Sequence, residues 1–123
     1  MMKLIKWLAT PSLALISILA FTTNSASAKD AAPQVIEIHS KKFSYEPAEI
    51  TLHKGVTYKL HVTSDDVPHS LRIKDLNLNA KMITGEYNDV LFTPDQVGDF
   101  KADCGLYCGS GHKTMSMTIH VIQ

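Results

Sequence analysis

The chain has 123 residues, with twelve basic and twelve acidic side chains and no formal net charge when histidine is counted as neutral. This length provides for one domain. The even charge balance, without a basic cluster, argues against nucleic acid as a partner.

The first 28 residues are typical of an export signal. Two lysines precede an apolar stretch at 13–21, and Ala26 and Ala28 stand at the two positions that a signal peptidase reads. The apolar stretch is shorter than the roughly 20 residues that cross a bilayer. We therefore expect residues 1–28 to be cleaved on export to the periplasm, with no stable membrane insertion of the rest; an uncleaved anchor is the alternative.

Residues 29–34 are predicted to be a flexible lead-in, and 35–123 to be the folded domain. Alternating apolar and polar residues predict seven or so short strands, in chain order at 35–39, 50–52, 58–63, 71–73, 90–93, 100–104 and 117–122, with Phe43 and Tyr45 following the first. Residues 75–89 are interpreted as irregular, with a weak indication of a helical turn at 76–82. Short strands at this spacing predict an all-β fold, an antiparallel Greek-key β-sandwich.

Four metal-binding side chains lie in the segment 104–115, which joins the last two predicted strands: Cys104, Cys108, His112 and Met115. Thiolate and thioether favour copper, and imidazole binds copper in either oxidation state. Three glycines, Gly105, Gly109 and Gly111, are expected to allow positive φ, so that the loop folds tightly and its ligands converge.

A fifth candidate ligand, His69, follows Asp66, Val67 and Pro68. In a Greek-key sandwich its loop can lie at the same end as the cysteine segment. Two alternatives remain open from the residues. A disulfide is the ordinary state of two cysteines in an exported protein, but it leaves His112 and Met115 unexplained. A tetrahedral zinc site on the cysteines and histidines leaves Met115 unused.

The remaining mature histidines are expected at the surface, because they fall on polar strand positions, at a strand end or before a glycine turn: His39, His53, His61 and His120. An exposed rim of Leu106, Tyr107 and Met82 is expected beside the metal site, where it would suit weak and transient docking.

The motif Cys-x3-Cys-x3-His-x2-Met, with Asp-Val-Pro-His-Ser upstream at 66–70, resembles the CuA domain. This domain is the binuclear-copper member of the cupredoxins, found in cytochrome c oxidase subunit II and nitrous oxide reductase. The resemblance covers nearly all of 43–121. It implies a cupredoxin-like sandwich that transfers electrons and is not an enzyme by itself.

The resemblance also implies a ligand set for two copper ions. Cys104 and Cys108 would bridge the two ions, and His69 and His112 would each bind one. Met115 would be a weak ligand of one copper, and the backbone carbonyl of Leu106 a weak ligand of the other.

Two residues depart from the oxidase pattern. The family usually has Glu where this chain has Leu106, and the one tryptophan, Trp7, lies in the predicted signal rather than in a Trp-rich electron-entry segment. We therefore expect a free-standing exported electron carrier that docks transiently with a cytochrome or an oxidase. The alternatives are a copper-trafficking protein for oxidase assembly and a mononuclear cupredoxin that uses His69, Cys108, His112 and Met115.

Overall fold

A computed structural model describes residues 32–123 of the chain. The predicted signal, residues 1–28, and the first part of the predicted lead-in lie outside the described residues. Between residues 32 and 123, no helix is both long enough and apolar enough to span a membrane.

Nine strands make up most of the described region: β1 (Gln34–Lys41), β2 (Ser44–Glu46), β3 (Glu49–His53), β4 (Tyr58–Ser64), β5 (His69–Ile73), β6 (Leu78–Met82), β7 (Asn88–Phe92), β8 (Gly98–Asp103) and β9 (Ser116–Ile122). Two short 3-10 turns, Lys74–Leu76 and His112–Thr114, follow β5 and precede β9. Between residues 32 and 123 the regular elements are these strands and 3-10 turns, without an α-helix, which confirms the predicted all-β fold.

The strands form two sheets that pack against each other. The first sheet has the order β2-β1-β4-β7, and the second has the order β3-β9-β8-β5-β6. The period-2 pattern explains the packing, because Leu60 and Val62 of β4 and Ile119 and Val121 of β9 are all buried. Burying each such side chain contributes about 1.5–3 kcal/mol. The Greek-key sandwich prediction is confirmed.

Two details differ from the sequence-based expectation. The sheets are not purely antiparallel, since β1 pairs with β4 and β3 pairs with β9 in parallel. The stretch interpreted as irregular contains β6, so the helical turn predicted at 76–82 is wrong, and a 3-10 turn lies before it at Lys74–Leu76. Asn77 adopts a left-handed backbone with φ 52° between that turn and β6, which ends the turn and allows the chain to reverse.

The topology places two connections at one end of the sandwich. The β4–β5 connection ends at His69, and the β8–β9 connection carries the cysteines. Strands β5 and β8 are neighbours in the second sheet, but a single residue pair, Arg72 with Asp103, joins them in register. Both connections lie beyond that pair, at the end of the sheet where β8 stops at Asp103 and β5 begins at His69.

Candidate metal centre

Three predicted ligands meet in the interior at this end of the sandwich. His69, Cys104 and Cys108 each direct one ligand atom to a common point, where the three atoms lie within 4.8 Å of one another. All three residues are buried. Among the described residues this is the one group of three or more histidine, cysteine or acidic side chains with such spacing.

The other predicted ligands surround the same point. The Cys108 sulfur lies 3.8 Å from Nδ1 of His112 and 3.9 Å from the sulfur of Met115. The Cys104 thiol donates to the carbonyl oxygen of Leu106 at 2.9 Å. The structure thus brings all six predicted groups together, although their roles as copper ligands stay a prediction.

Cys104 and Cys108 are free thiols. Burial, together with the neighbouring Cys104 side chain, raises the pKa of the Cys108 thiol to about 11. Without a metal this thiol is therefore protonated at neutral pH. A cation that binds there must displace the proton, because the thiolate is the form that binds metals.

His69 is held in an orientation that suits a metal ligand. Its Nε2 lies 2.8 Å from Oδ1 of Asp66, while its buried Nδ1 has no hydrogen-bond partner. A carboxylate at Nε2 favours the tautomer with the proton there, which leaves the lone pair on Nδ1. A buried nitrogen without a partner costs about 1–3 kcal/mol, and a metal ion would remove that cost.

Asp66 is itself fixed by the backbone. Its carboxylate accepts hydrogen bonds of 2.6 Å from the N–H groups of Lys42 and Val67. Burial disfavours the charged form of Asp66, but these two donors and His69 outweigh it and lower the pKa of the carboxyl to about 2. Asp66 is therefore ionised over the physiological range and orients His69 throughout it.

Ser70 connects the two ligand-bearing connections. Its hydroxyl accepts a hydrogen bond from the Gly105 N–H at 2.7 Å, and its own N–H points at the Cys104 sulfur at 3.5 Å. The buried Tyr45 hydroxyl donates to the Ser70 carbonyl at 2.5 Å. These contacts replace the strand pairing that stops at Asp103, and they hold Cys104 beside His69.

Sequence reasoning did not assign roles to Asp66, Ser70 or Tyr45. One local signal was available for Asp66, since a carboxylate three residues before a candidate histidine ligand can orient its ring. The roles of Ser70 and Tyr45 depend on contacts with distant segments, and the sequence carries no comparable signal for them.

The loop glycines act mainly through close packing, which corrects the expectation that all three need positive φ. In the ligand loop only Gly109 has such a backbone, with φ 136°. A Cβ on Gly111 would lie 2.3 Å from the Phe43 ring, and one on Gly105 would lie 3.0 Å from the Ser70 hydroxyl. Gly111 and Gly105 therefore permit close approach instead.

The residues present fit copper. Two thiols, a thioether and the unpartnered Nδ1 of His69 form a soft, buried donor set, with a second imidazole at its edge. Zinc would need four of these donors and would leave the Met115 sulfur, buried 3.9 Å from Cys108, without a role. Calcium and magnesium require a shell of oxygen ligands, and the six groups supply one oxygen, the Leu106 carbonyl.

Apolar side chains are exposed next to the cluster. Tyr107 is 77% exposed and Leu106 is 45% exposed, whereas Met82 is fully buried. The expected rim is thus correct for Leu106 and Tyr107 and wrong for Met82. Met82 pairs with His69 in register and faces the core. A cavity of about 310 Å³ lies beside the centre, lined by residues that include His69, Lys81, Ile83 and Leu106.

Solved structures of similar fold include a domain of a cytochrome oxidase and a domain of a Cu(I)-exporting ATPase. The periplasmic domain of subunit II of cytochrome oxidase from Bradyrhizobium japonicum superposes with a TM-score of 0.67 at 18% identity, covering 76% of this chain and 86% of that chain. The metal-binding domain of the Cu(I)-exporting P-type ATPase of Streptococcus pneumoniae, solved with Cu(I), gives 0.57 at 22% identity, with coverages of 72% and 85%. At these identities the likeness concerns the fold.

Sequence relatives include cytochrome c oxidase subunit 2 of Thermus thermophilus, which is 34% identical over 79 residues, or 64% of this chain. The chain spans 58% and 47% of the length of two such Thermus relatives. A family model described as a cupredoxin-like domain matches residues 12–117. Because that match covers most of the sequence, the chain belongs to the cupredoxin-like domain family.

Proposed function

We propose that this protein is an exported copper protein that transfers electrons through a binuclear, CuA-like centre. In this assignment Cys104 and Cys108 would hold both copper ions as shared ligands, and His69 and His112 would each bind one. Met115 and the Leu106 carbonyl complete the set as weak ligands. The observation that carries the proposal is that three ligand atoms, from His69, Cys104 and Cys108, lie within 4.8 Å of one another in the interior, with the other three groups next to the cysteine sulfurs.

When bound, such a centre supplies the chemistry of taking up and releasing one electron. The protein's own contribution is to keep the ligands still and water away from them. Cys104, Met115 and His69 are each at most 2% exposed, and Asp66 and Ser70 fix their neighbours by hydrogen bonds. A site that changes little between oxidation states needs little rearrangement, which favours fast electron transfer. No residue is assigned a catalytic role.

Export to the periplasm is proposed on the signal-like residues 1–28 and on the periplasmic domain among the structures of similar fold. The partner is proposed to be a redox protein, a cytochrome or an oxidase, that docks transiently where Leu106 and Tyr107 are exposed. Similarity to cytochrome c oxidase subunit 2 supports a partner of this kind.

A copper-trafficking role is the second candidate. The free thiols and the fold likeness to the metal-binding domain of a Cu(I) exporter favour it. A trafficking protein would use the same soft ligands but would exchange its metal. A mononuclear cupredoxin on His69, Cys108, His112 and Met115, with Cys104 unused, is the third.

Chelator challenge and redox cycling separate the first two candidates. The copper-loaded protein is mixed with a moderate copper chelator, and the metal retained is measured over time; ascorbate and then ferricyanide test whether the visible spectrum bleaches and returns. An electron carrier keeps its copper for hours and recovers its spectrum. Loss of copper within minutes, or no recovery, would contradict the electron-carrier proposal.

The cysteine assignment is tested with Cys104→Ser, with Met117→Leu as a control at a buried neighbouring strand position. If Cys104 bridges two ions, the serine variant loses at least one copper per chain and the spectrum of the pair. Met117→Leu keeps both ions, since Leu and Met have similar volumes. A Cys104→Ser protein that retained two coppers would show the bridging assignment to be wrong.

A further inference from the structure

Exposed lysines adjoin the candidate metal centre on the outer side of the second sheet. Lys81 lines the cavity that also contacts His69 and Leu106. Lys113 directly follows the predicted ligand His112, and it borders a surface depression together with Lys74 and Lys101. We call these four lysines the basic surface.

The basic surface is continuous along the second sheet. A shallow hollow lined by Arg72, Lys74 and Asn79 connects its parts, because it shares Lys74 with the depression at Lys113 and shares Asn79 with the cavity at Lys81. The surface therefore extends from the cavity beside His69, past the β5–β6 turn at Lys74, to Lys113 in the ligand loop.

Carboxylates do not neutralise this surface. Asp75 and Asp103 are the acidic side chains that line it, and Asp103 is already bound by Arg72 through two hydrogen bonds of 2.8 and 2.9 Å. Within residues 32–123, none of the four lysines forms an ion pair shorter than 4 Å. The four lysines therefore have one carboxylate nearby, Asp75, that is not already bound to another cation.

The outer face of the first sheet differs in the arrangement of its charges. Glu37, Asp65 and Asp89 are each in contact with a histidine there, and Lys59 is paired with Asp89 at 3.5 Å. The four lysines of the basic surface are therefore unpaired, whereas these charges on the first sheet are paired.

Apolar groups lie at one edge of the basic surface. Leu106, Tyr107 and Ile83 are exposed, and Leu106 and Ile83 line the cavity next to Lys81. An apolar patch with charges beside it is typical of a surface for specific but short-lived association. Rim charges mainly steer the encounter and set its salt dependence.

We infer that the basic surface, with Leu106 and Tyr107 at its edge, docks a redox protein whose own docking face is acidic. This inference rests on the proposed function and specifies its partner class. Opposite charges on the two faces would speed the encounter and direct it to the end of the molecule where the metal ligands lie. A partner with a basic docking face would be repelled by the same lysines.

Stopped-flow electron transfer from the reduced, copper-loaded protein tests this inference, with an acidic and a basic c-type cytochrome as the two probes. We expect the rate with the acidic cytochrome to fall about tenfold or more as salt rises from about 10 mM to about 200 mM, because the Debye length shortens from about 30 Å to under 10 Å. The rate with the basic cytochrome should rise or stay level.

Reversing the charge of two lysines tests whether the basic surface is the part of the protein that docks the partner. The double variant Lys81→Glu, Lys101→Glu should lose most of the low-salt rate advantage with the acidic cytochrome. The control Lys54→Glu reverses one lysine beside Ile122, at the end of β9 away from the ligand loop, and should leave the rate close to that of the unmodified protein. Copper content and spectrum, measured on each variant, confirm that the centre itself is intact.

Three results would overturn the inference. One is a rate with the acidic cytochrome that charge reversal at Lys81 and Lys101 does not change. The second is a faster, salt-sensitive rate with the basic cytochrome. The third is sedimentation of the protein with vesicles containing phosphatidylglycerol, lost on charge reversal, without preference for the acidic cytochrome. In each case the copper protein still cycles, so the proposed function stands; a chain that retains no copper refutes that function instead.

Discussion

Two groups of histidines differ in what their ring nitrogens contact. At the surface, His39 has both nitrogens bonded to carboxylates, Asp65 at 2.8 Å and Glu37 at 2.7 Å, and His120 contacts Asp99 at 2.6 Å. In the interior, His69 contacts a carboxylate through Nε2 and has no partner at Nδ1, and one nitrogen of its ring lies within 4.8 Å of two thiol sulfurs. The difference indicates that the number of carboxylate partners, together with burial, decides which histidine is available to a metal.

The largest effect is expected from removing the interior histidine. His69→Ala should weaken copper binding by more than about a hundredfold, because loss of a ligand exceeds the roughly 10–100-fold cost of losing a group that only orients one. His39→Ala is the matched surface control and should leave copper affinity unchanged. Competition titration against a chelator of known affinity measures both. Equal losses of copper affinity in the two variants would show that the interior and surface histidines do not differ in their contribution to copper binding.

A smaller loss is expected when the orienting carboxylate is neutralised. Asp66→Asn should lower copper affinity about 10–100-fold, because the amide no longer favours the His69 tautomer with its lone pair on Nδ1. Asp65→Asn changes the neighbouring carboxylate, which contacts His39 instead, and serves as the control. The same chelator competition applies. If Asp65→Asn costs as much as Asp66→Asn, the effect is one of overall charge and not of orientation.

Packing of the ligand loop gives a third contrast. Gly111→Ala should lower the free energy of unfolding by about 1–3 kcal/mol, because the new methyl group would overlap the Phe43 ring and one of the two must move. Ser110→Ala, at an exposed position of the same loop, should have little effect. Urea unfolding of the metal-free protein measures both variants. If Gly111→Ala leaves the free energy of unfolding unchanged, the Phe43 ring moves aside without an energetic cost.

The smallest effect is expected from the surface histidines, whose protonation makes the stability of the fold depend on pH. Hydrogen bonds to Asp99 raise the pKa of His120, and hydrogen bonds to Asp65 and Glu37 raise the pKa of His39. A raised pKa in the folded state contributes stability that is fully present below the unfolded value of about 6.5 and is lost as pH rises through the folded value.

The urea midpoint of the metal-free protein should therefore decrease from about pH 6 to about pH 8, and it should decrease less in His120→Gln. The same substitution should not alter copper binding, because His120 lies on β9 and outside the cluster. A midpoint that rises with pH in both proteins would contradict the assigned ion pairs.

Local sequence patterns predicted individual strands and the segment that carries the candidate ligands. The alternation in β4 and β9 identified two central strands. The motif at 104–115, with His69 and the resemblance to the CuA domain, indicated the six candidate ligand groups that lie close together, but not Asp66, Ser70 or Tyr45, which hold them. Strand β6 was missed because Asn79 and Lys81 have low strand propensity and Ala80 gives only a small apolar signal. The parallel pairings of β1 with β4 and β3 with β9 depend on partners that are distant in sequence.

Contacts between distant segments account for the rest. Gly111 looks like a residue chosen for backbone freedom, but its φ of −89° is ordinary, and the requirement comes from Phe43, which lies in another part of the chain. Ser70 looks like a plain strand residue until Gly105 and Cys104 are placed against it. The burial of Met82 likewise follows from the sheet that β6 joins, which the sequence alone did not reveal.

The central claim is that the buried cluster holds two copper ions bridged by Cys104 and Cys108. The most direct test is to load the purified protein with copper, count the copper per chain and record the electron paramagnetic resonance spectrum of the oxidised form. Two coppers per chain, with one unpaired electron shared between both nuclei, is the predicted result. One copper per chain with the spectrum of a single ion would contradict it and support a mononuclear site.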